Sequence, residues 1–145
     1  MVLVDVNVLI YAFRADVGEH SPYRKWLEET IERPDPFAVA AATLSGFLSI
    51  VTNRRIFPVP TPLDQAVGFV RALRNQPNCV LLAPGPAHLE LFLNLCLRVK
   101  AMGKLVPDAE LAALAIENGC EIASADRDFS RFPGLKWRHP LDEQE

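Results

Sequence analysis

Short apolar runs alternate with longer segments of helical periodicity along the chain, and that alternation predicts its layout. Residues 2–4 form a β-branched run that stops at Asp5, the pattern of a buried strand. Residues 7–13 read as a helix. In 21–31, Trp26, Leu27, Thr30 and Ile31 recur at helical spacing on a charged background, and Pro34 and Pro36 end that helix. Residues 37–40 are expected to be the second strand. Leu44, Phe47, Leu48 and Val51 mark a helix over 44–52, and 54–62 is a Pro-rich loop. A helix over 62–73 opens on Pro62, with Thr61 as its expected N-cap. Residues 79–83 read as a strand between Pro77 and Pro84, and 86–100 as a long amphipathic helix. After a loop over 102–105 come a helix over 107–118 capped by Gly119, a strand over 121–125, a short turn or helix over 126–132, and a last strand over 136–139. Strands alternating with helices predict an α/β fold: a central, mostly parallel sheet flanked by helices. No repeat, low-complexity tract or linker interrupts it, so 1–141 reads as a single domain and 142–145 as a frayed tail.

Composition narrows the function classes. Half of the 145 residues are hydrophobic and 23% are charged, which suits one packed core and not a disordered chain. A net charge of −3 is not the footprint of a general DNA-binding protein. A nuclease stays open, because a carboxylate metal site removes charge that the metal restores. Arg outnumbers Lys, which suits bidentate phosphate contacts, although compositional bias is the simpler account. Cys79, Cys96 and Cys120 are odd in number and widely spaced, so they read as buried thiols and not as a zinc or disulfide framework. The apolar N-terminus lacks a basic segment and is interrupted by Asp5 and Asn7, unlike a signal peptide. No stretch reaches the roughly 18 to 20 apolar residues that span a bilayer. The expectation is a soluble cytoplasmic protein.

Three acids carry the candidate chemistry. In an open parallel sheet, ligands gather beyond the carboxyl ends of the strands. Asp5 closes the first strand, Asp126 closes the fourth, and Asp108 opens the helix that leads into that fourth strand. Each also has a structural reading: Asp5 or Asp126 as a helix cap, Asp108 as a complement to the helix dipole. Three acids at one predicted edge favour a site. Clustered carboxylates raise one another's pKa unless a cation compensates, and hard oxygen ligands suit Mg²⁺ or Mn²⁺. No nucleophilic triad competes, and His20, His88 and His139 read as surface or capping residues. The glycines form neither dinucleotide-binding nor P-loop motifs.

The opening VDVNVLIYA, the segment VPDAELAALAIENGC and the segment ASADRDFSRFPGL resemble the three signatures of PIN-domain nucleases. Their order and spacing resemble the VapC toxins of toxin–antitoxin pairs, over nearly the whole chain. The resemblance implies a PIN-like domain and a metal-dependent endoribonuclease. On the matching positions it implies Asp5 and Asp108 as principal Mg²⁺ (or Mn²⁺) ligands, Asp126 completing the cluster, and Asp128 as a further catalytic acid. Asn7 and Ser124 match polar positions lining such sites, or serve as a helix cap and a strand-end hydroxyl. It also implies an RNA substrate, tRNA or rRNA, a cognate antitoxin protein and a homodimer. One departure stands out. The family usually carries a glutamate early in the third helix, and Gly46 occupies that position here. Glu110 is near enough to Asp108 to lean in. Among the cations, Arg127 and Arg131 border the acids, and Arg14, Arg54 and Arg55 flank the edge or the Pro-rich loop. A PIN module that binds RNA or antitoxin without efficient cleavage is the alternative. A metal-dependent phosphatase is disfavoured, because Val6 and Asn7 follow Asp5 where a nucleophilic DxD would stand.

Overall fold

In the computed structural model, which describes residues 1–142, the elements follow in the predicted order. They are β1 (Val2–Val4), α1 (Val6–Phe13), α2 (His20–Glu32), β2 (Phe37–Ala40), α3 (Ala41–Val51) and α4 (Leu63–Arg74). There follow β3 (Cys79–Leu82), α5 (His88–Val99), α6 (Leu105–Glu117), β4 (Glu121–Ala123), a 3₁₀ turn (Arg127–Arg131) and β5 (Trp137–Arg138). Of the expected tail, residues 143–145 lie outside the described residues.

All strand pairs are parallel, in the order β3-β2-β1-β4-β5. β1 is central: Val2 pairs with Phe37 on one side and with Glu121 on the other. Successive strand residues point to opposite faces, and helices cover both. Leu3, Ala38, Ala40 and Ile122 join α5 and α6 in one core. Val4, Phe37 and Val39 join α1 to α4 in the other. This explains why the inner strands read as unbroken apolar runs. β3 is an edge, and its Val80 and Leu81 are exposed.

Several boundaries differ from the periodicity for local reasons. α3 begins at Ala41, directly behind β2 and without a side-chain cap. α6 begins at Leu105, so Pro107 is its third residue. The first turn tolerates this because its N–H groups have no intrahelical acceptor. β4 stops at Ala123, since Ser124 and Ala125 turn into the site described below. α5 starts at His88 because Glu117 takes the loop before it. The Glu117 carboxylate accepts from the N–H groups of Gly85 at 2.6 Å and Ala87 at 2.9 Å. A Cβ on Gly85 would stand 2.9 Å from that carboxylate, so glycine permits the close approach.

Thr61 is not the N-cap of α4, which has no side-chain cap. Its hydroxyl accepts from Arg14 Nη1 at 3.0 Å. The same guanidinium grips both oxygens of Asp16, at 2.9 and 2.5 Å, donates to the Val59 carbonyl at 2.8 Å and lies 4.1 Å from the Phe57 ring centroid. Arg14 is therefore a buried clamp that fastens the Pro-rich loop to the end of α1, not a free cation for phosphate.

Candidate active site

The carboxyl end of β1 meets that of β4 in a compact polar network. Asp5 sits at the junction of β1 and α1, 8% exposed. Its two oxygens divide the work. Oδ1 accepts from the Val6 N–H at 2.7 Å and so caps α1. Oδ2 accepts from the Ser124 hydroxyl at 2.7 Å and from Asn7 Nδ2 at 3.2 Å. Asn7 Nδ2 also donates to Ser124 Oγ at 3.1 Å, and its Oδ1 accepts from the Ala125 N–H at 3.1 Å. The Asp126 N–H donates to Ser124 Oγ at 3.0 Å. Asn7 and Ser124, read from sequence as lining polar residues or caps, thus lock β1 to β4 beside Asp5.

Asp126 divides its oxygens in the same way. Oδ1 accepts from the Asp128 N–H at 2.9 Å and caps the 3₁₀ turn, and Oδ2 faces Lys104 Nζ at 3.5 Å. Capping and clustering are therefore not alternatives for Asp5 and Asp126: each does both.

Asp108 stands in the first turn of α6, and its Oδ2 is buried with no hydrogen-bond partner among the described residues. Loss of solvent, then the negative charges of Asp126 and Asp5, push its pKa up from 3.8 to about 6, against the pull of Lys104. Burial likewise raises the Asp5 pKa, opposed by the hydrogen bonds from Ser124 and Val6. The charges of Asp126, Asp5 and Asp128 all reach Asp108, and that of Asp126 also reaches Asp5. Among the described residues, no three His, Cys, Asp or Glu side chains form a ready-made cage for an ion.

Two neighbours escaped the sequence reading. Lys104 is 79% exposed, and Asp126 and Asp108 both raise its pKa. Its spacing of four residues from Asp108 was the available signal, since such residues share a helix face. His88, expected at the surface or in a cap, is buried at the start of α5 and stacks on Phe92. It lines a groove of about 470 Å³ that runs from Asp5 and Asp108 past Gly46 to Leu81 and Pro84. Glu110 lines the same groove.

The candidate cations separate. Arg127 is exposed, 3.7 Å from Asp142 and 5.6 Å from the Trp137 ring centroid. Arg131, Arg54 and Arg55 are exposed and in no ion pair among the described residues. Cys79 and Cys120 are buried and Cys96 is partly exposed; all three are free thiols, and among the described residues no helix is long and apolar enough to cross a membrane.

The sheet order, the acids beyond its carboxyl edge and a match of residues 2–135 to the PIN domain model agree, and the chain belongs to the PIN-domain family. Within that family it groups with the VapC ribonucleases. It is 46% identical over 144 residues to ribonuclease VapC43 of Mycobacterium tuberculosis, covering 99% of this chain and 98% of that one. It is 43% identical over 140 residues to ribonuclease VapC25 of the same organism, covering 97% and 99%. In fold it is similar to VapBC2 of Rickettsia felis, a structure bound to a promoter DNA fragment, with a TM-score of 0.71 at 15% identity over 95% of this chain and 98% of that one.

Proposed function

We propose that the chain is the ribonuclease toxin of a toxin–antitoxin pair, a divalent-metal-dependent endoribonuclease whose principal ligands are Asp5 and Asp108, with Asp126 and Asp128 in support. The observation that carries this reading is Asp108: a buried carboxylate oxygen without a partner, and a pKa near 6 among three further acids. Such an arrangement is unfavourable unless a cation is part of it.

The donors fit Mg²⁺ or Mn²⁺, being hard carboxylate oxygens. Mg²⁺ is commonly held by one or two carboxylates, with water and substrate phosphate in the remaining positions, and Asp5 and Asp108 would suffice for that. When bound, the ion supplies charge neutralisation at the phosphate and an acidified water. The chain's own residues do the rest. Asn7 and Ser124 hold Asp5 Oδ2 in place through hydrogen bonds of 3.2 and 2.7 Å. Asp128, whose charge reaches Asp108, is assigned to orienting water. Lys104 offsets the repulsion of the acids. Arg127 and Arg131, exposed on the turn next to Asp126, are suited to the RNA backbone.

The named relatives are ribonucleases, and one fold neighbour, VapC20 of M. tuberculosis, is described as a sarcin–ricin-loop-cleaving toxin. They support an RNA substrate; the choice of tRNA or rRNA, and of the cytoplasm, follows from the family resemblance. Other fold neighbours are VapBC complexes, which support a cognate antitoxin partner; a homodimer follows from the same family reading.

Gly46 motivates a second reading, a module that binds RNA or antitoxin with little cleavage. One experiment separates the two. Antitoxin-free protein is incubated with total bacterial RNA and Mg²⁺ or Mn²⁺, beside Asp5→Asn and Asp108→Asn. Discrete fragments absent from both variants support the nuclease. RNA retention without fragments supports the second reading, and cleavage untouched by either substitution sinks the site assignment.

A further inference from the structure

We propose that Lys104 is a substrate-binding residue held in reserve: it pairs with Asp126 while the acids are bare, and takes an RNA phosphate once a divalent ion has neutralised them. This rests on the metal-dependent ribonuclease reading and adds to it a residue that ties RNA capture to the ion.

The Lys104 ammonium has one polar partner among the described residues, Asp126 Oδ2, to which it donates at 3.5 Å. Folding does not account for its place. An exposed ion pair of this kind adds little stability. Lys104 is also the N-cap of α6, where a cation opposes the helix dipole and where Ser, Thr, Asp or Asn would supply a side-chain cap that lysine does not. Gly103, with a φ of +58° that favours glycine, makes the turn that brings Lys104 there. A residue that serves its helix poorly, placed beside the acids, fits a role in the site.

The two members of the pair are unequally free. Asp126 is fixed: its Oδ1 accepts from the Asp128 N–H at 2.9 Å, and its own N–H donates to Ser124 Oγ at 3.0 Å. Lys104 is exposed and carries its charge on a flexible aliphatic stem, so it can change partner without movement of the backbone. It is also the cation whose charge acts on both Asp5 and Asp108. Arg127 turns instead to Trp137 and Asp142, and Arg14 is buried in its clamp. Without an ion, a phosphate approaching the acids meets net negative charge, and the ammonium beside them is engaged. Once an ion offsets that charge, the hold of Asp126 on Lys104 weakens, and the ammonium is free for the phosphate.

The test reads RNA binding and not cleavage, from the anisotropy of a short fluorescent RNA of random sequence. In EDTA, Lys104→Gln is expected to weaken binding by less than about twofold, since the pair with Asp126 already engages the ammonium. Asp126→Asn keeps an oxygen for the Asp128 N–H and frees Lys104 without an ion. In that background, still in EDTA, Lys104→Gln is expected to weaken binding about two- to fivefold, and Lys104→Arg to retain it. In Ca²⁺, a hard ion that takes oxygen ligands, the same loss is expected with Asp126 intact. There the slope of log affinity against log salt should also fall by about 0.7, the share of one phosphate contact. Equal losses in EDTA and in Ca²⁺ with Asp126 intact would make Lys104 a general surface charge and overturn the proposal. No loss in Ca²⁺ or in the Asp126→Asn background would also overturn it, leaving Lys104 a counter-charge alone. Failure of the underlying reading is seen separately, as cleavage in Mg²⁺ that survives Asp108→Asn.

Discussion

The Ser124 hydroxyl donates to Asp5 Oδ2 at 2.7 Å, joining residues 119 positions apart. Ser124 is fully buried, and its oxygen also accepts from Asn7 Nδ2 and from the Asp126 N–H. One hydroxyl thus fixes two acids, one from β1 and one beyond β4.

Ser124→Ala removes all three hydrogen bonds and leaves buried polar groups unsatisfied. A loss of about 1–3 kcal/mol is expected in urea unfolding. A further rise in the Asp5 pKa is expected by NMR, because the Ser124 hydrogen bond is the main influence lowering it. An unchanged Asp5 titration would show that Ser124 merely fills space.

Asp108 makes the metal-free protein sensitive to pH in a defined sense. Its folded value, about 6, lies above the ordinary 3.8, so the folded state keeps a proton that the unfolded chain releases between them. The stability it contributes is present below the lower value and lost as pH rises through the upper one. In EDTA, Asp108→Asn is therefore expected to melt above wild type at about pH 7, with the gap closing toward the lower value, while in Mg²⁺ it is expected to lose RNA cleavage. Divalent-ion affinity of the wild type should climb through about pH 6, since the ion displaces that proton. Calorimetric titration at several pH values checks this.

Lys104 neutralises the acids from outside, 3.5 Å from Asp126. Its removal leaves them uncompensated until an ion arrives. Lys104→Ala is expected to bind Mg²⁺ about two- to fivefold more tightly, the scale of an exposed ion pair. If Lys104 also contacts the substrate, KM for RNA rises in the same variant. Weaker Mg²⁺ binding would contradict the compensating role.

Arg14 is the point at which the Pro-rich loop is fastened. Arg14→Ala is expected to cost about 1–3 kcal/mol, the scale of leaving the Thr61 hydroxyl and the Val59 carbonyl without their donor, since Asp16 stays in water. Arg14→Lys should recover only part, because an ammonium cannot grip Asp16 in two places while reaching Thr61 and Val59. Limited proteolysis should then cut first in residues 54–62. Cleavage elsewhere would place the weak point outside this loop.

The order of elements was legible because every inner strand is covered on both faces and therefore reads as an apolar run. The positions of Asp5 and Asp126 were legible too, since they follow strand ends, and that of Asp108 from the helix start it occupies. What escaped depended on long-range partners. Thr61 carries an N-cap sequence signal, but Arg14, 47 residues away, takes its hydroxyl. Arg14 looked like a free cation for the same reason. His88 gave no signal of burial, because the groove it lines is completed by residues of β3 and α6 that are distant in sequence. The start of α5 moved because Glu117 reaches back across 30 residues to Ala87.

The central place of β1 sets a schedule for synthesis. Asp5 is among the first residues to leave the ribosome, but its strand pairs with β4 near the other end of the chain, and Ser124 and Asp126 arrive with β4. A nascent chain that has completed α5 holds one acid of the four and no site. Translation that stops early leaves a fragment without Asp108 or Asp126. Parallel topology thus delays assembly of the four acids until almost the whole message has been read, and on the site assignment proposed above an unfinished copy would have nothing to cut with.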